Sequence, residues 1–533
     1  MFFRRETIIR PLRRPFTKRR TPQLQLQSQS QSQQRRAYGA SPGRRQPGSW
    51  GTQVALGVLG AGAGAGAIAA GSYYFYDHEK RHESPWGEGS DHPRPGTEIG
   101  TGIGLQWKGK AVPALSLAEA TAKLREEEMA CMRLRDGVGG FHAVRVASNS
   151  PVEDEMVYAV EEVDEGGGEE EEGGRRPDAS RLTYRRGWAT SATLRDSLVP
   201  FVSRELRSAF AVAKEEATVS TTAPESRRNP RISPTAIDRA IKAAFLSLDK
   251  EIIEDGNAAI QESQSQAEVV SRQAPGYAGS CGLLSVFDPH SSVLRVACVG
   301  DSRAVLGRKN PDGKWEAEPL SEDQTGFNEA EYARVTADHP GETDVVSRDS
   351  GRVLGIAVTR AFGDGLWKWP LETINVASKR FWGRDPRPGY QTPPYLTAEP
   401  VISTTKIQSG KDGDFLIMAT DGVWDHISSQ HAVECVGQWI QARRAGTLPE
   451  KQRAVRTHNT VETGQRPVGY SSRWKVTPGD FVVEDENAAT HLARNVLGGK
   501  NRDLFCGAMS ATPPLSRNVR DDLTVQVVFF GDI

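Results

Sequence analysis

Three short segments place aspartates beside a hydrophobic strand and a glycine or polar turn. They read Val-Gly-Asp-Ser-Arg (299–303), Ala-Thr-Asp-Gly-Val-Trp-Asp (419–425) and Val-Arg-Asp-Asp-Leu-Thr (519–524). A single Asp-Gly pair usually marks a turn, but three such segments in order carry more weight. The strand before Asp421 would deliver it to a sheet edge, and Gly422 would let backbone or water approach closely.

Carboxylate oxygens gathered in this way suit Mg²⁺ or Mn²⁺ better than zinc. Such ions lower the pKa of bound water and neutralise phosphoryl oxygens, so that hydrolysis needs no protein nucleophile. The pattern therefore indicates metal-dependent hydrolysis of a phosphate ester.

A longer series of stretches resembles, in the same order, the motifs of the metal-dependent protein phosphatase family, also called protein phosphatase 2C. The matching stretches are Ser148–Asp154, Ala278–Gly282, Val299–Leu306, Thr336–Pro340, Gly355–Asp364, Thr397–Pro400, Ala419–Asp425 and Arg520–Asp522. The Ser-Asn-x-Pro-x-Glu-Asp form and the Trp-rich insert Leu366–Arg387 are most similar to the mitochondrial, pyruvate dehydrogenase phosphatase-like branch.

The resemblance implies an α+β fold, a four-layer α-β-β-α sandwich with two antiparallel sheets flanked by helices. It also implies two metal ions, Mg²⁺ or Mn²⁺, and a bridging water that attacks phosphoserine or phosphothreonine of a phosphorylated protein. The motifs assign Asp421 and Asp521 to the first ion, Glu153 and Asp154 to the second through water, and Asp301 and Asp425 to a weaker third.

The same resemblance places Gly279 and Gly282 in turns, where a structural role is favoured. Asp338 and Asp364 also lie in matching motifs. For these two aspartates we expect local capping or pairing.

One diagnostic element of the family is not found. In the family, a strand ending in Asp-Gly-His-x-Gly precedes the first long helix; its Asp bridges both ions and its His is the expected proton donor. Here the helix is recognisable at Gly187–Arg195, but Thr183–Gly187 contains neither residue, and Asp178 lies too early in a polar run. Two divalent ions about 3.5–4 Å apart would repel without that carboxylate, and a lost proton donor costs about a hundredfold or more. No catalytic residue is therefore identifiable.

Two explanations for the missing element stay open. Either the sequence derives from a gene prediction that skips a short exon, or the protein is an inactive relative that binds phosphoproteins or other partners. Retention of Asp301, Asp421, Asp425 and Asp521 favours the first, as does the packing defect that a missing central strand would cause. Hydrolysis of small phosphate esters is a third possibility, which the motifs favour less.

The N-terminal segment, residues 1–50, is rich in Arg, Gln, Ser and Pro, and Glu6 is its only acidic residue. This composition is typical of a mitochondrial transit peptide; a basic tail that touches nucleic acid or anionic lipid is the alternative. The whole chain has a net charge of only −1, so no nucleic-acid partner is predicted.

An uncharged run follows at Thr52–Tyr76. Its length suits a membrane-spanning helix, which needs about 20 apolar residues, and Tyr73, Tyr74 and Tyr76 would form an aromatic belt. Because Ala and Gly dominate, a flexible linker is the alternative. Together with the transit peptide, the run predicts a membrane anchor and a location at the mitochondrial inner membrane.

The remainder divides into a linker over residues 77–115 and a phosphatase domain over residues 116–533, beginning with helical spacing at Ser116–Arg135. Polar insertions are expected near residues 161–186, 218–231 and 448–480. The predicted strands are Leu283–Phe287, Val293–Val299, Phe415–Ala419 and Leu523–Phe530, and the predicted helices are Ser191–Val212, Ala236–Leu248, Ser429–Arg443 and Glu486–Leu497. The five cysteines form no Cys-x-x-Cys pair, which favours small buried side chains over a disulfide framework. The sequence predicts no particular oligomeric state.

Overall fold

The computed structural model describes residues 52–61, 106–107, 110–111, 113–132, 138–163, 188–219, 232–448 and 474–532. Two antiparallel sheets form the frame of this part. The first sheet contains, in spatial order, β14 (Val401–Lys406), β8 (Val293–Val299), β7 (Gly279–Asp288), β1 (Thr52–Ala61) and β6 (Glu155–Val163). The short strand β13 (Phe362–Gly363) also pairs with β7.

The second sheet contains, in spatial order, β10 (Trp315–Pro319), β9 (Arg303–Lys309), β15 (Phe415–Ala419), β16 (Leu523–Phe529), β5 (Gly140–Val146) and β4 (Met129–Met132). Two short hairpins are separate from both sheets. They pair β2 (Gln106–Trp107) with β3 (Lys110–Ala111), and β11 (Val346–Ser347) with β12 (Arg352–Val353).

The helices are α1 (Leu117–Leu124), α2 (Trp188–Val219), α3 (Pro234–Glu262), α4 (Gln266–Tyr277), α5 (Glu329–Asp338), α6 (Leu371–Arg380), α7 (Asp421–Trp424), α8 (Ser429–Arg444), α9 (Ala488–Val496), α10 (Arg502–Ser510) and α11 (Ser516–Val519). Several begin at a side chain that accepts a backbone N–H. Ser233 caps α3 ahead of Pro234, Ser428 caps α8, and Asn487 caps α9. These are the residue types that best satisfy the free N–H groups at a helix start.

Strand β15 shows how the second sheet is buried on both faces. Phe415 and Ile417 lie in a cluster with Val433 of α8 and other helical residues. Leu416 and Met418 lie in a second cluster, which also contains residues of the first sheet. Alternate side chains of a strand point to opposite faces. One face of β15 therefore packs on helices, and the other packs on the first sheet.

The first sheet has the matching arrangement. Leu284 of β7 and Val299 of β8 lie in a cluster with Leu198 of α2 and Phe245 of α3. Their neighbour Leu283 faces the second sheet instead. Because both faces of these strands are buried, their sequences are nearly continuous apolar runs.

Strand β1 corrects the predicted membrane helix over Thr52–Tyr76. Residues 52–61 form an interior strand that pairs with β6 on one side and β7 on the other; residues 62–76 lie outside the described part. An uncharged apolar run suits a strand with two neighbours as well as it suits a membrane helix. No helix among the described residues is both long enough and apolar enough to cross a bilayer.

The other predicted elements are largely confirmed. All four strands and all four helices form, with ends that differ by a few residues, except that α3 extends to Glu262. The helical prediction for Ser116–Arg135 is wrong from Arg125 to Met132, since the chain leaves the helix there and β4 pairs with β5 at the sheet edge. Residues 133–135 lie outside the described part.

The predicted insertions are shorter than expected at their edges. Residues 161–163 complete β6, residues 218–219 complete α2, and residues 474–480 include the packed Trp474, whose ring lies 4.1 Å from that of His426. The rest of these insertions, the N-terminal segment 1–50 and most of the linker 77–115 fall outside the described residues.

Candidate metal centre

Strand ends bring the acidic motifs to one edge of the second sheet. Ala419, the last residue of β15, pairs with Val525 near the start of β16 and with Arg303 at the start of β9. Because both pairs are antiparallel, the residues that follow β15 lie beside those that precede β16 and β9. The three acidic segments found in the sequence therefore converge.

Asp421 lies at the centre of this group. Burial raises the pKa of its carboxyl well above the usual range, and the carboxylates of Asp521, Asp301, Asp425 and Asp154 raise it further. Nearby like charges disfavour ionisation in this way. Five of the six predicted metal ligands are therefore close enough for their charges to interact.

Glu153, the sixth predicted ligand, joins the group through a guanidinium. Arg517 Nη1 donates to Glu153 Oε2 at 3.2 Å and to Asp521 Oδ1 at 2.9 Å. The backbone carbonyl of Glu153 also accepts a hydrogen bond of 2.5 Å from Ser191 Oγ of α2. Arg517 belongs to none of the motifs found in the sequence. Its one signal was a position four residues before Asp521, a spacing at which side chains on a helical turn meet.

Asp154 is fully enclosed beside the group. Thr420 Oγ1 donates to Asp154 Oδ2 at 2.8 Å, and the same hydroxyl accepts from the backbone N–H of Thr524 at 3.1 Å. Burial and the Asp522 charge raise the pKa of Asp154 well above its usual range, against the hydrogen bond from Thr420. Asp154 therefore links the start of β6 to the end of β15 and the start of β16.

Asp301 borders the group from the first sheet. Cys281 Sγ donates to Asp301 Oδ1 at 3.2 Å. Burial raises the pKa of Asp301 to about 6, and Asp323 and Asp425 add to this while the thiol hydrogen bond opposes it. Gly300 has a φ of +102°, and a Cβ there would lie 2.2 Å from Cys281 Sγ. Only glycine allows this close turn.

Asp522 organises the loop that carries Glu153. Its Oδ1 accepts the backbone N–H groups of Ser148 at 2.5 Å and Asn149 at 3.0 Å. Its Oδ2 accepts the Glu153 N–H at 2.7 Å and Asn149 Nδ2 at 3.3 Å. Asp522 lies within one of the acidic motifs, but this role could not be predicted from the sequence because it depends on contacts between distant parts of the chain.

Gly422 brings the start of α7 against the residues that precede β16. A Cβ at this position would lie 2.1 Å from the carbonyl oxygen of Asp522 and 3.4 Å from Asp521 Cβ. The prediction that Gly422 permits a close approach is confirmed, and the approaching group is backbone.

The end of β1 points toward the same site. Ala61 pairs with Cys281, the residue that contacts Asp301, and Gly60 pairs with Gly282. A carboxylate or imidazole at this strand end would lie near the acidic group, but Thr52–Ala61 contains neither. The residues directly before α2, 164–187, are outside the described part.

The donor chemistry of the group fits a divalent cation. Carboxylate oxygens that raise one another's pKa are the groups that a hard cation neutralises. Within the described ranges, however, no three His, Cys, Asp or Glu side chains are arranged to hold a metal ion. The donors are thus present together, without an assembled set of ligands.

Two glycines assigned to turns lie in a strand instead. Gly279 and Gly282 are both part of β7. A Cβ on Gly279 would lie 1.9 Å from the carboxylate of Asp364, and one on Gly282 would lie 2.7 Å from the ring of Phe362. Their role is close packing, and the turn assignment is wrong.

The two remaining motif aspartates differ from each other. Asp338 pairs with Arg334 at 3.1 Å, as expected for a local contact. Asp364 is completely buried, and neither carboxylate oxygen has a hydrogen-bond partner. Its backbone φ is +53°, and it does not cap the helical turn at Gly365–Trp367. Local pairing is therefore confirmed for Asp338. The Asp364 carboxylate forms neither a cap nor a hydrogen bond with the described residues, and its local interaction is with the charge of Lys368, which lowers its pKa against the effect of burial.

Comparison with known proteins agrees with the motifs. The family model described as Protein phosphatase 2C matches residues 188–461, beginning at the first residue of α2. A protein phosphatase 2C homolog of Schizosaccharomyces pombe is 37% identical over 415 residues, which cover 77% of this chain and 85% of the relative.

Two further relatives carry more specific names. Mitochondrial [pyruvate dehydrogenase [acetyl-transferring]]-phosphatase 1 of Saccharomyces cerevisiae is 31% identical, over 79% of this chain and 74% of its own length. The human phosphatase of the same name is 34% identical over 45% of each chain. The chain therefore belongs to the protein phosphatase 2C family and resembles its pyruvate dehydrogenase phosphatase-like branch.

Proposed function

We propose that this protein phosphatase hydrolyses phosphoserine and phosphothreonine with metal ions held by the carboxylates around Asp421. The observation that carries the proposal is the convergence of three acidic segments at the end of β15 and the starts of β16 and β9, which places Asp421 beside four other acidic side chains. Such a site is unfavourable unless a cation neutralises it. The chemistry it supports is displacement at a phosphate ester by an activated water.

The ligands would be Asp421 and Asp521 for one ion, Glu153 and Asp154 through water for a second, and Asp301 and Asp425 for a weaker third. Mg²⁺ or Mn²⁺ bound there would lower the pKa of a water ligand and neutralise phosphoryl oxygens. The chain's own contribution is to position these groups. Asp522 holds the Glu153 loop, and Thr420 orients Asp154.

We further propose the four-layer α-β-β-α arrangement for the fold. Three buried clusters support it: one joins the first sheet to α2 and α3, one joins the two sheets, and one joins the second sheet to α8, α9 and α10. In this arrangement the acidic group lies at one end of the two sheets, where loops from both can reach a substrate.

A second candidate function is that of a binding protein without turnover. The observation that favours it is the position of β1 between β6 and β7, with Gly60 and Ala61 at the end nearest the acidic group. A chain with this strand lacks both the bridging carboxylate and the proton donor that the family resemblance implies. Such a protein would bind a phosphorylated partner and leave it intact.

A rate measurement tests the proposed enzyme. Hydrolysis of a phosphothreonine peptide with Mn²⁺ is compared between the wild type and Asp421→Asn, with Asp338→Asn as the control. We expect Asp421→Asn to lower the rate by about tenfold or more, since even groups that only support a metal ligand are worth that much. Equal rates for the wild type and Asp421→Asn would defeat the assigned role of Asp421.

Transcript sequencing across the region that encodes residues 155–190 separates the two candidates. An additional Asp-Gly-His segment before Trp188 would support the enzyme. A transcript that matches the present chain, together with phosphopeptide binding and no hydrolysis, would support the binding protein.

We propose a mitochondrial location, with residues 1–50 as the transit peptide, and a phosphorylated metabolic enzyme as the substrate. The Arg-rich composition of that segment and the names of the yeast and human relatives support this proposal. Placement at the inner membrane depended on the predicted helix, and that helix overlaps β1. Import of a fluorescent fusion to residues 1–50 into isolated mitochondria tests the location, and retention outside the organelle would contradict it.

A further inference from the structure

Arg517 lies between two of the proposed metal ligands. Its Nη1 atom is 3.2 Å from Glu153 Oε2 and 2.9 Å from Asp521 Oδ1. Its side chain is 24% exposed, so it is partly accessible to solvent. The charge is therefore at the site and accessible.

The guanidinium is stabilised in its charged form. A guanidinium is not deprotonated in proteins, and this one lies against the carboxylates of Glu153 and Asp521. Arg517 is thus a fixed positive charge within a group of carboxylates.

Within the described part of the chain, only one nitrogen of Arg517 has a hydrogen-bond partner. Both ion pairs involve Nη1, and no acceptor in the described part of the chain takes a hydrogen bond from Nε or Nη2. A guanidinium presents its donors as a planar fork that matches two oxygens of a phosphate. In Arg517, one side of that fork is open.

Other arginines near the site differ in this respect. Arg303 donates from Nε and Nη2 to Asp323, at 2.9 Å and 2.6 Å, and from Nη1 to Ser429 at 3.3 Å. Arg520 is only 4% exposed and donates from Nε to the Ala508 carbonyl. Neither combines access from solvent with unused donors beside the carboxylates.

We propose that Arg517 binds the phosphate group of the substrate through Nε and Nη2, while Nη1 stays with Glu153 and Asp521. This inference rests on the proposed function, because it places the substrate phosphate at the same acidic group. The same positive charge should have the opposite effect on the binding of a metal ion. A guanidinium on two proposed ligands repels a divalent cation, so Arg517 weakens metal binding while it strengthens phosphate binding.

Two binding measurements test this role without turnover. Titration calorimetry gives the affinity for inorganic phosphate in metal-free buffer and, separately, the affinity for Mn²⁺. Arg517→Met removes the charge and the fork, whereas Arg517→Lys keeps only the charge. Arg195→Met is the matched control. Arg195 also bridges two carboxylates, Glu155 at 3.1 Å and Asp196 at 2.7 Å, and is 16% exposed.

We expect Arg517→Met to weaken phosphate binding by about tenfold or more, because it removes charge-assisted hydrogen bonds. The same variant should bind Mn²⁺ about threefold tighter or more, because a like charge has left the ligands. Arg517→Lys should weaken phosphate binding less and leave Mn²⁺ binding near the wild-type value. Arg195→Met should change neither affinity.

Several results would overturn the role of Arg517. They are the absence of measurable phosphate binding to the wild type, unchanged phosphate binding in Arg517→Met, an equal loss in Arg195→Met, and weakening of both ligands together. The last would indicate a merely structural contact. If Arg517→Met fails to fold, Arg517→Lys still tests the proposal. A phosphate affinity equal to that of the wild type in Arg517→Lys would show that the planar donors of the guanidinium are not needed. Both assays measure binding and need no hydrolysis. If the chain proved to be inactive, the proposed enzyme activity would be refuted, but the binding measurements would still test the role of Arg517.

Discussion

Replacement of Asp522 by alanine tests whether the acidic group is assembled by contacts between distant segments. The side chain is 2% exposed and accepts four hydrogen bonds from the loop before β6, three of them from backbone N–H groups. Asp522→Ala removes all four acceptor contacts, and it leaves the N–H groups of Ser148 and Glu153 in buried surroundings.

The expected loss in the free energy of unfolding is about 3–5 kcal/mol. A hydrogen bond to a charged group contributes about 1.5–3 kcal/mol, but four bonds to one carboxylate share a partner and do not add fully. Removal of the charge also relieves Asp154, whose pKa Asp522 raises, and this offsets part of the loss. Asp522→Asn keeps one carbonyl acceptor and should lose about half as much.

Urea unfolding followed by circular dichroism measures the effect, and Asp338→Ala is the control. Asp338 forms a half-exposed pair with Arg334, which should contribute less than about 1 kcal/mol. Binding of Mn²⁺ to Asp522→Ala should also weaken, because Glu153 is no longer held. A change in unfolding free energy below about 1 kcal/mol for Asp522→Ala would refute the reasoning.

Three further predictions follow from the packing. Gly422→Ala should destabilise the fold by about 2 kcal/mol or more, since its Cβ would lie 2.1 Å from a backbone oxygen; a thermal midpoint equal to that of the wild type would contradict this. Burial raises the pKa of Asp364 to about 8, so the folded state keeps a proton that the unfolded chain loses near pH 4. The free energy of unfolding should therefore fall as pH rises toward 8, by on the order of 1 kcal/mol per pH unit. Urea unfolding of Asp364→Asn should show a weaker dependence of this free energy on pH between about pH 5 and 8. The same pH dependence in the variant and the wild type would contradict the prediction. Deletion of residues 1–61 should abolish cooperative unfolding, whereas deletion of residues 1–51 should not, because β1 pairs with strands on both sides; equal unfolding curves would exclude a structural role for β1.

Local patterns predicted most elements of the frame. Phe415–Ala419 is a short apolar run beside polar residues, and it forms a strand whose two faces are both buried. Ser429–Arg444 has helical spacing and directly follows the capping residue Ser428. Such signals depend on residues within a few positions of one another, and they are present in any segment read alone.

The pairing of strands that are distant in the sequence could not be predicted in the same way. Met129–Met132 lies within helical spacing, but β5 offers an open sheet edge that converts it into a strand. Thr52–Ala61 is apolar and uncharged, which is compatible with a membrane helix or a buried strand. Its place between β6 and β7 depends on strands far away in the chain.

The sequence by itself determined the family, the order of the motifs and the identity of the acidic residues, since these are properties of residue type and spacing. Only the tertiary structure decided how those residues are used. Asp522 supports a loop, Arg517 joins Glu153 to Asp521, and Gly279 packs against Asp364. Each of these contacts joins different segments of the chain, and their distances and burial arise only when the sheets and helices have packed.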